Sequence, residues 1–224
     1  MTAAQHAGQS PQDRILDAAA QVFAEEGFAG ARVDEIARRA GVNKAMLYYH
    51  IGDKTHLYQT VLERNFDRVL EAIRTAAARS SDPCQQLELI IDAFARTIAT
   101  MPEHPRIMLR EFASGGAGLP EPILCRVAGM FTAVREVLAA GVASGQLRPT
   151  NPLLTHLVIV AAVVFSTAVQ PFQSQLATLM PRLLGTDQEL PVPDLITDPA
   201  ELAAAISDLL LTGLATAPLP GGSS

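Results

Sequence analysis

Residues 33–54 read VDEIARRAGVNKAMLYYHIGDK, and their spacing predicts two short helices joined by a tight turn. Ile36, Ala37 and Ala40 recur at helical spacing, which gives the segment from Asp34 to Ala40 a single apolar stripe. Gly41 ends that helix, because glycine accepts the left-handed backbone of a C-cap, and Val42 can pack back against it. Asn43 then serves as N-cap for a second helix from Lys44 to about His50. Two helices joined by a few residues that include a glycine form a helix-turn-helix.

An α-helix turns by about 100° per residue, so Leu47 and Ile51 share the buried side of the second helix. Its exposed side carries Ala45, Met46, Tyr48 and Tyr49, with Lys44 at the start and Lys54 just past the end. Such a face suits the major groove of DNA. Lys44 and the first amides can meet phosphate, Ala45 and Met46 can touch thymine methyls, and the tyrosines offer hydroxyls on flat apolar bodies. The same alternation also suits a purely structural hairpin, with the tyrosine pair packed on a neighbour.

The run IARRAGVNKAMLYYHIGDKTHL, preceded by RILDAAAQVFAEEGF from Arg14, resembles the DNA-binding signature of the tetracycline-repressor (TetR/AcrR) family of bacterial transcription regulators. The resemblance reaches to about Leu57; beyond it only length and all-helical character match. It implies that the helix from Lys44 to His50 enters the major groove. The positions implied to contact bases or phosphates are Lys44, Ala45, Met46, Tyr48, Tyr49, His50 and Lys54. One departure is Arg32-Val33, where a hydroxyl residue is usual, so Arg32 becomes the candidate phosphate contact there. The resemblance further implies a small effector held in the helical body and a homodimer formed through the last two helices.

Composition fits a packed globular protein: of 224 residues, 49% are hydrophobic and 18% charged, with no Trp. The net charge is −6, and residues 1–55 contribute six basic against seven acidic side chains. A generic electrostatic DNA binder would be basic, so binding here has to come from a small, focused basic rim. Cys84 and Cys125 lack metal-like spacing and are expected as reduced core residues of a cytoplasmic protein. The N-terminus has neither the basic lead nor the apolar core of a secretory signal.

The predicted fold is all-α: a disordered stretch at 1–9, a three-helix DNA-binding domain at 10–55, a helical ligand-binding and dimerisation domain at 56–216, and a disordered tail at 217–224. Ser10-Pro11 opens the first helix, and Gly27 closes it as C-cap. Asp53 caps a long helix to about Ala78. Further helices are expected from Pro83 to Met101, Arg106 to Ala113, Pro120 to Ser144, and from Pro152 to an end or kink at Pro171. The apolar run from Leu153 to Val169 is shorter than the roughly 20 residues of a membrane span, so it is expected as a core or subunit-contact helix. Residues 185–199 form a loop, and a last helix places Leu202, Ile206, Leu209 and Leu210 on one side.

No metal-ligand or cofactor pattern stands out: the five histidines are scattered, and there is no GxSxG or phosphate-cradling loop. Glu103-His104 and Arg110-Glu111 read as solvated charges and helix ion pairs rather than acid–base pairs. Candidate lining for a small-molecule site is Phe94, Met101, Met108, Phe112, Met130, Phe131 and Phe165, with His104, Arg110, His156 and Gln170 as polar anchors. The same residues at helical spacing also make plain core. The expectation is a non-enzymatic DNA-binding regulator, a dimeric repressor on a palindromic operator. Its effector would be mostly apolar, neutral or with one anionic group met by Arg110 or a histidine. The alternative is a helical binding protein or enzyme with a structural helix-turn-helix.

Overall fold

The structure, a computed structural model, describes residues 9–116, 118–184 and 198–216. The loose N-terminus expected at 1–9 lies outside them up to residue 8, as do residues 185–197 of the expected loop and the tail 217–224. The described residues form α-helices α1 (Pro11–Gly30), α2 (Val33–Ala40), α3 (Lys44–Ile51), α4 (Lys54–Ala77), α5 (Pro83–Ala99), α6 (Glu103–Ala113), α7 (Glu121–Ala143), α8 (Pro152–Leu184) and α9 (Pro199–Leu214).

Local capping chemistry sets the reader. Ser10 Oγ accepts from the Asp13 amide at 3.1 Å at the start of α1. Gly41 adopts φ 64°, open only to glycine at low cost, and lets the Val42 amide return to Ala37 O at 3.1 Å. Asn43 Oδ1 accepts from the Met46 amide at 2.7 Å, and Asp53 Oδ1 accepts from the His56 amide at 2.8 Å. Gly27 ends the first regular helix of α1, as expected, with a non-helical backbone. Its φ of 70° kinks the chain, which then makes another turn to Gly30 and folds Phe28 back beside Phe23 and Tyr58.

The body is built around α5, which packs on α4, α7, α8 and α9 and buries Leu87, Ile90, Ile91, Phe94 and Ile98. Helix α6 starts at Glu103 rather than Arg106. The first four amides of a helix have no partner within it, so Pro105 costs no hydrogen bond in that turn. Helix α8 runs through Pro171 to Leu184, because one missing amide removes one bond from a helix of 33 residues. Within it, Pro152–Leu176 is long enough to span a membrane and holds an 18-residue window of mean hydropathy 2.1, so shortness of the helix does not by itself argue against a span.

The inner face of α9 is Ala203, Ile206, Ser207, Leu211 and Leu214, whereas Leu209 points outward at 76% exposure instead of sharing the Ile206 side. Cys125 is exposed on α7 and Cys84 half-buried, so neither is a core residue. His104 and Glu111 are buried rather than solvated.

Helix α1 packs on α2, α3, α4 and α6, so α4 and α6 are the elements that touch both reader and body. At the far end, Gly141 lets Leu147 approach so closely that an added Cβ would lie 2.4 Å from Leu147 Cδ1. Leu147 forms the isolated antiparallel bridge to Ala215 that seats the end of α9. Gly141→Ala should therefore cost about 1–3 kcal/mol of stability in urea denaturation. An unchanged midpoint would mean that Leu147 is free to move aside.

Candidate functional site

Two sites emerge, one on α3 and one inside the body. Leu47 and Ile51 anchor α3 in the core, and Lys44, Ala45, Met46, Tyr48, Tyr49 and His50 are all exposed. Tyr49 is 87% exposed, with its ring edge-on to His50 at 5.3 Å between centroids. Arg32 is also exposed and makes no side-chain cap for α2.

Charge around this face is mostly self-compensated. Lys44 Nζ lies 2.8 Å from Asp34 Oδ1, and this pairing raises the lysine pKa. Both partners are solvated, so a phosphate can replace the carboxylate at little cost. Arg38 and Arg39 both bind Glu35, which holds that carboxyl down at about 2. Arg39 also bonds Glu25 of α1 at 2.7 Å and so ties α2 to α1.

Lys54 differs from the others. Its Nζ donates to Ala29 O at 3.2 Å and Ala31 O at 3.0 Å, and sits 4.8 Å over the Phe28 ring. The side chain latches the start of α4 to the end of α1. Beside it, Tyr58 packs edge-on against Phe23, and its hydroxyl donates to Glu111 Oε1 on α6. Burial, then the carboxylate, pushes the Tyr58 pKa far up, so the hydroxyl remains a donor. Arg110, one residue earlier on α6, donates to Glu25 O at 2.7 Å.

The second site is a cavity of about 630 Å³ between α4, α5, α6, α7 and α8. Seven of the expected residues line it: Phe94, His104, Met108, Phe112, Met130, Phe131 and His156. Four do not. Met101 is buried core outside the cavity, and Arg110 reaches to α1. Phe165 is 58% exposed on the outer side of α8, and Gln170 lies further along the same helix. Periodicity finds the apolar residues of a helix but does not separate its inner stripe from an outer one.

The sequence reading missed Phe66, Val69, Leu124, Val127, Leu153, Leu157, Val160 and Val164, which supply most of the remaining apolar wall. It also missed Asn65, which is buried with its Nδ2 3.4 Å from His104 Nδ1. A lone amide inside the apolar stripe Val61, Leu62, Phe66 and Val69 was the available signal.

Residues 15–61 match the model for bacterial regulatory proteins of the tetR family. The chain is 33% identical over 156 residues to an HTH-type transcriptional repressor of Streptomyces coelicolor, covering 68% of this chain and 77% of that one. It is 41% identical over 81 residues to the HTH-type transcriptional activator FasR of Mycolicibacterium smegmatis, a match spanning 36% of this chain and only 37% of FasR. A tetR-family regulatory protein from Rhodococcus RHA1 shares the fold at TM-score 0.74 and 20% identity, over 94% of this chain and 100% of its own.

Burial depresses the His104 pKa from 6.5 to about 4 and lowers that of His156 as well. The native state therefore binds fewer protons than the unfolded chain between these values. Stability is full above about 6.5 and falls as pH drops toward about 4. His104→Gln should remove about 1–3 kcal/mol of that loss in urea melts across the window. An unaltered slope would mean that water reaches the native imidazole.

Proposed function

The chain belongs to the tetR family of bacterial regulatory proteins, and from that premise we propose that it is a homodimeric repressor, released from a near-palindromic operator when a mostly apolar small molecule fills its body. The observation that carries this is the face of α3. A helix pinned from behind by Leu47 and Ile51 presents Tyr48 and Tyr49 to solvent beside Lys44, as a groove-reading helix requires. Arg32, His50, Ala45 and Met46 complete the proposed contact surface, and Lys54 acts in it by holding α4 to α1.

A dimer is supported by α8. Leu154, Val158, Phe165, Phe172 and Leu179 are all exposed, and Ala161 and Ala168 fill the steps between them. The alternating steps of four and three give the 3.5-residue repeat of packed helix pairs. The other side of α8 packs on α5, α6 and α7 and buries Thr155 and His156. Exposed Leu153 and Leu157 widen the exposed apolar face near the start of α8, Gln173 and Gln175 flank it around Phe172, and exposed Leu209 on α9 can extend it toward a second copy.

Release would run through α6, which lines the cavity with His104, Met108 and Phe112 and grips α1 through Arg110 and α4 through Glu111. A ligand that prefers a different seat for α6 shifts the population of reader positions by its differential affinity.

Fluorescence anisotropy on the DNA upstream of the protein's own coding sequence checks the reader. Lys44→Ala should weaken all sequences alike and reduce the salt slope by about one. Tyr49→Ala should weaken the operator by about ten-fold or more with little change on unrelated DNA. Wild-type affinity in both would place a different face on DNA. In sedimentation, Phe165→Asp or Leu209→Glu should raise the dimer dissociation constant by about 30-fold or more and abolish operator binding with it. A monomeric wild type that still binds the operator tightly contradicts the assembly.

A further inference from the structure

The cavity wall contains no Arg, Lys, Asp or Glu among the described residues. Two arginines of the flanking helices are engaged elsewhere: Arg110 on Glu25 O, and Arg126 on Asp67 Oδ1 at 2.6 Å. Its polar side chains are the imidazoles of His104 and His156, both kept neutral by burial. An anion placed here would be desolvated without a cation, a cost of several kcal/mol.

The two histidines are not equivalent. Asn65 Nδ2 faces His104 Nδ1 at 3.4 Å; with the amide as donor in this pair, the ring proton resides on Nε2. Phe66 meets the ring edge-to-face at 5.1 Å and fixes its plane. Nε2 is then a donor on a ring that lines the cavity, with no hydrogen-bond partner among the described residues. An acceptor oxygen brought by a ligand can meet this donor at one fixed point of an otherwise apolar wall.

We propose that the effector is an uncharged apolar molecule bearing one neutral oxygen acceptor, a carbonyl or an alcohol, to which His104 Nε2 donates. The assignment rests on the cavity being the effector site proposed above, and it excludes the anionic effector that Arg110 was expected to meet. Methionines at 108 and 130 give the apolar part a wall that adapts to shape, whereas the acceptor is read at one fixed point.

Calorimetry on the full chain with methyl dodecanoate, dodecyl alcohol and dodecanoate at neutral pH tests it. The ester and the alcohol should bind at least about ten-fold tighter than the carboxylate. His104→Leu should weaken the ester by about ten-fold, and His104→Gln, which keeps an N–H, by less. Ala128→Trp, which fills the cavity from α7, should abolish binding of all three. If Ala128→Trp binds the ester as the wild type does, the cavity is not the effector site and both proposals fall. If the tryptophan blocks binding but the carboxylate binds as tightly as the ester, only the uncharged effector is overturned. An ester indifferent to His104→Leu, or a wild type that takes none of the three probes, also overturns it.

Discussion

The hydrogen bond from Tyr58 to Glu111 sits where the reader meets the body. Tyr58 belongs to the first turns of α4, its ring packs on Phe23 and Phe28 of α1, and its hydroxyl is held by a carboxylate of α6. Three helices with different tasks thus share one buried side chain. Lys54 on the carbonyls of Ala29 and Ala31, and Arg110 on that of Glu25, tie the same helices a few ångströms away. Polar contacts of this kind fix orientation more sharply than apolar packing, since a buried carboxylate displaced from its donor is heavily penalised. Among the described residues Glu111 Oε2 has no hydrogen-bond partner, and Tyr58 is the side chain that holds the carboxylate.

The same junction links the two sites. The His104, Met108 and Phe112 side chains of α6 face the cavity, while Arg110 and Glu111 of the same helix face the reader. In the proposed release, a molecule that changes how α6 sits would act on the α1–α6 contact through Arg110. The uncharged wall of the cavity fits the same arrangement, because Arg110 of α6 is used to hold α1.

Much of this was legible in the sequence. The helix-turn-helix was readable because its caps are local: Asn43, Gly41 and Asp53 act on amides or carbonyls within five residues. The all-helical body was readable from periodicity. What periodicity cannot supply is which partner each face meets. Phe165 and Phe131 are both aromatic residues on apolar helices, yet one lies on the outer seam of α8 and the other at the cavity. Arg110 looked like an anchor for a ligand and anchors α1 instead, while Lys54 looked like a phosphate contact and closes the α1–α4 corner. Asn65 was overlooked because its role depends on His104, 39 residues away. Pro171 misled in the other direction, since a local helix breaker was overridden by a helix long enough to absorb it.

Hydroxyl-radical footprinting of the full chain on the DNA upstream of its own coding sequence tests most directly whether two such readers are held at a fixed spacing. Two protected patches should appear on each strand, related by a dyad, with centres about one helical turn (roughly 34 to 36 Å) or more apart on one face of the duplex. A single asymmetric patch, or uniform protection without periodicity, would contradict a dimer that presents two α3 helices to successive major grooves.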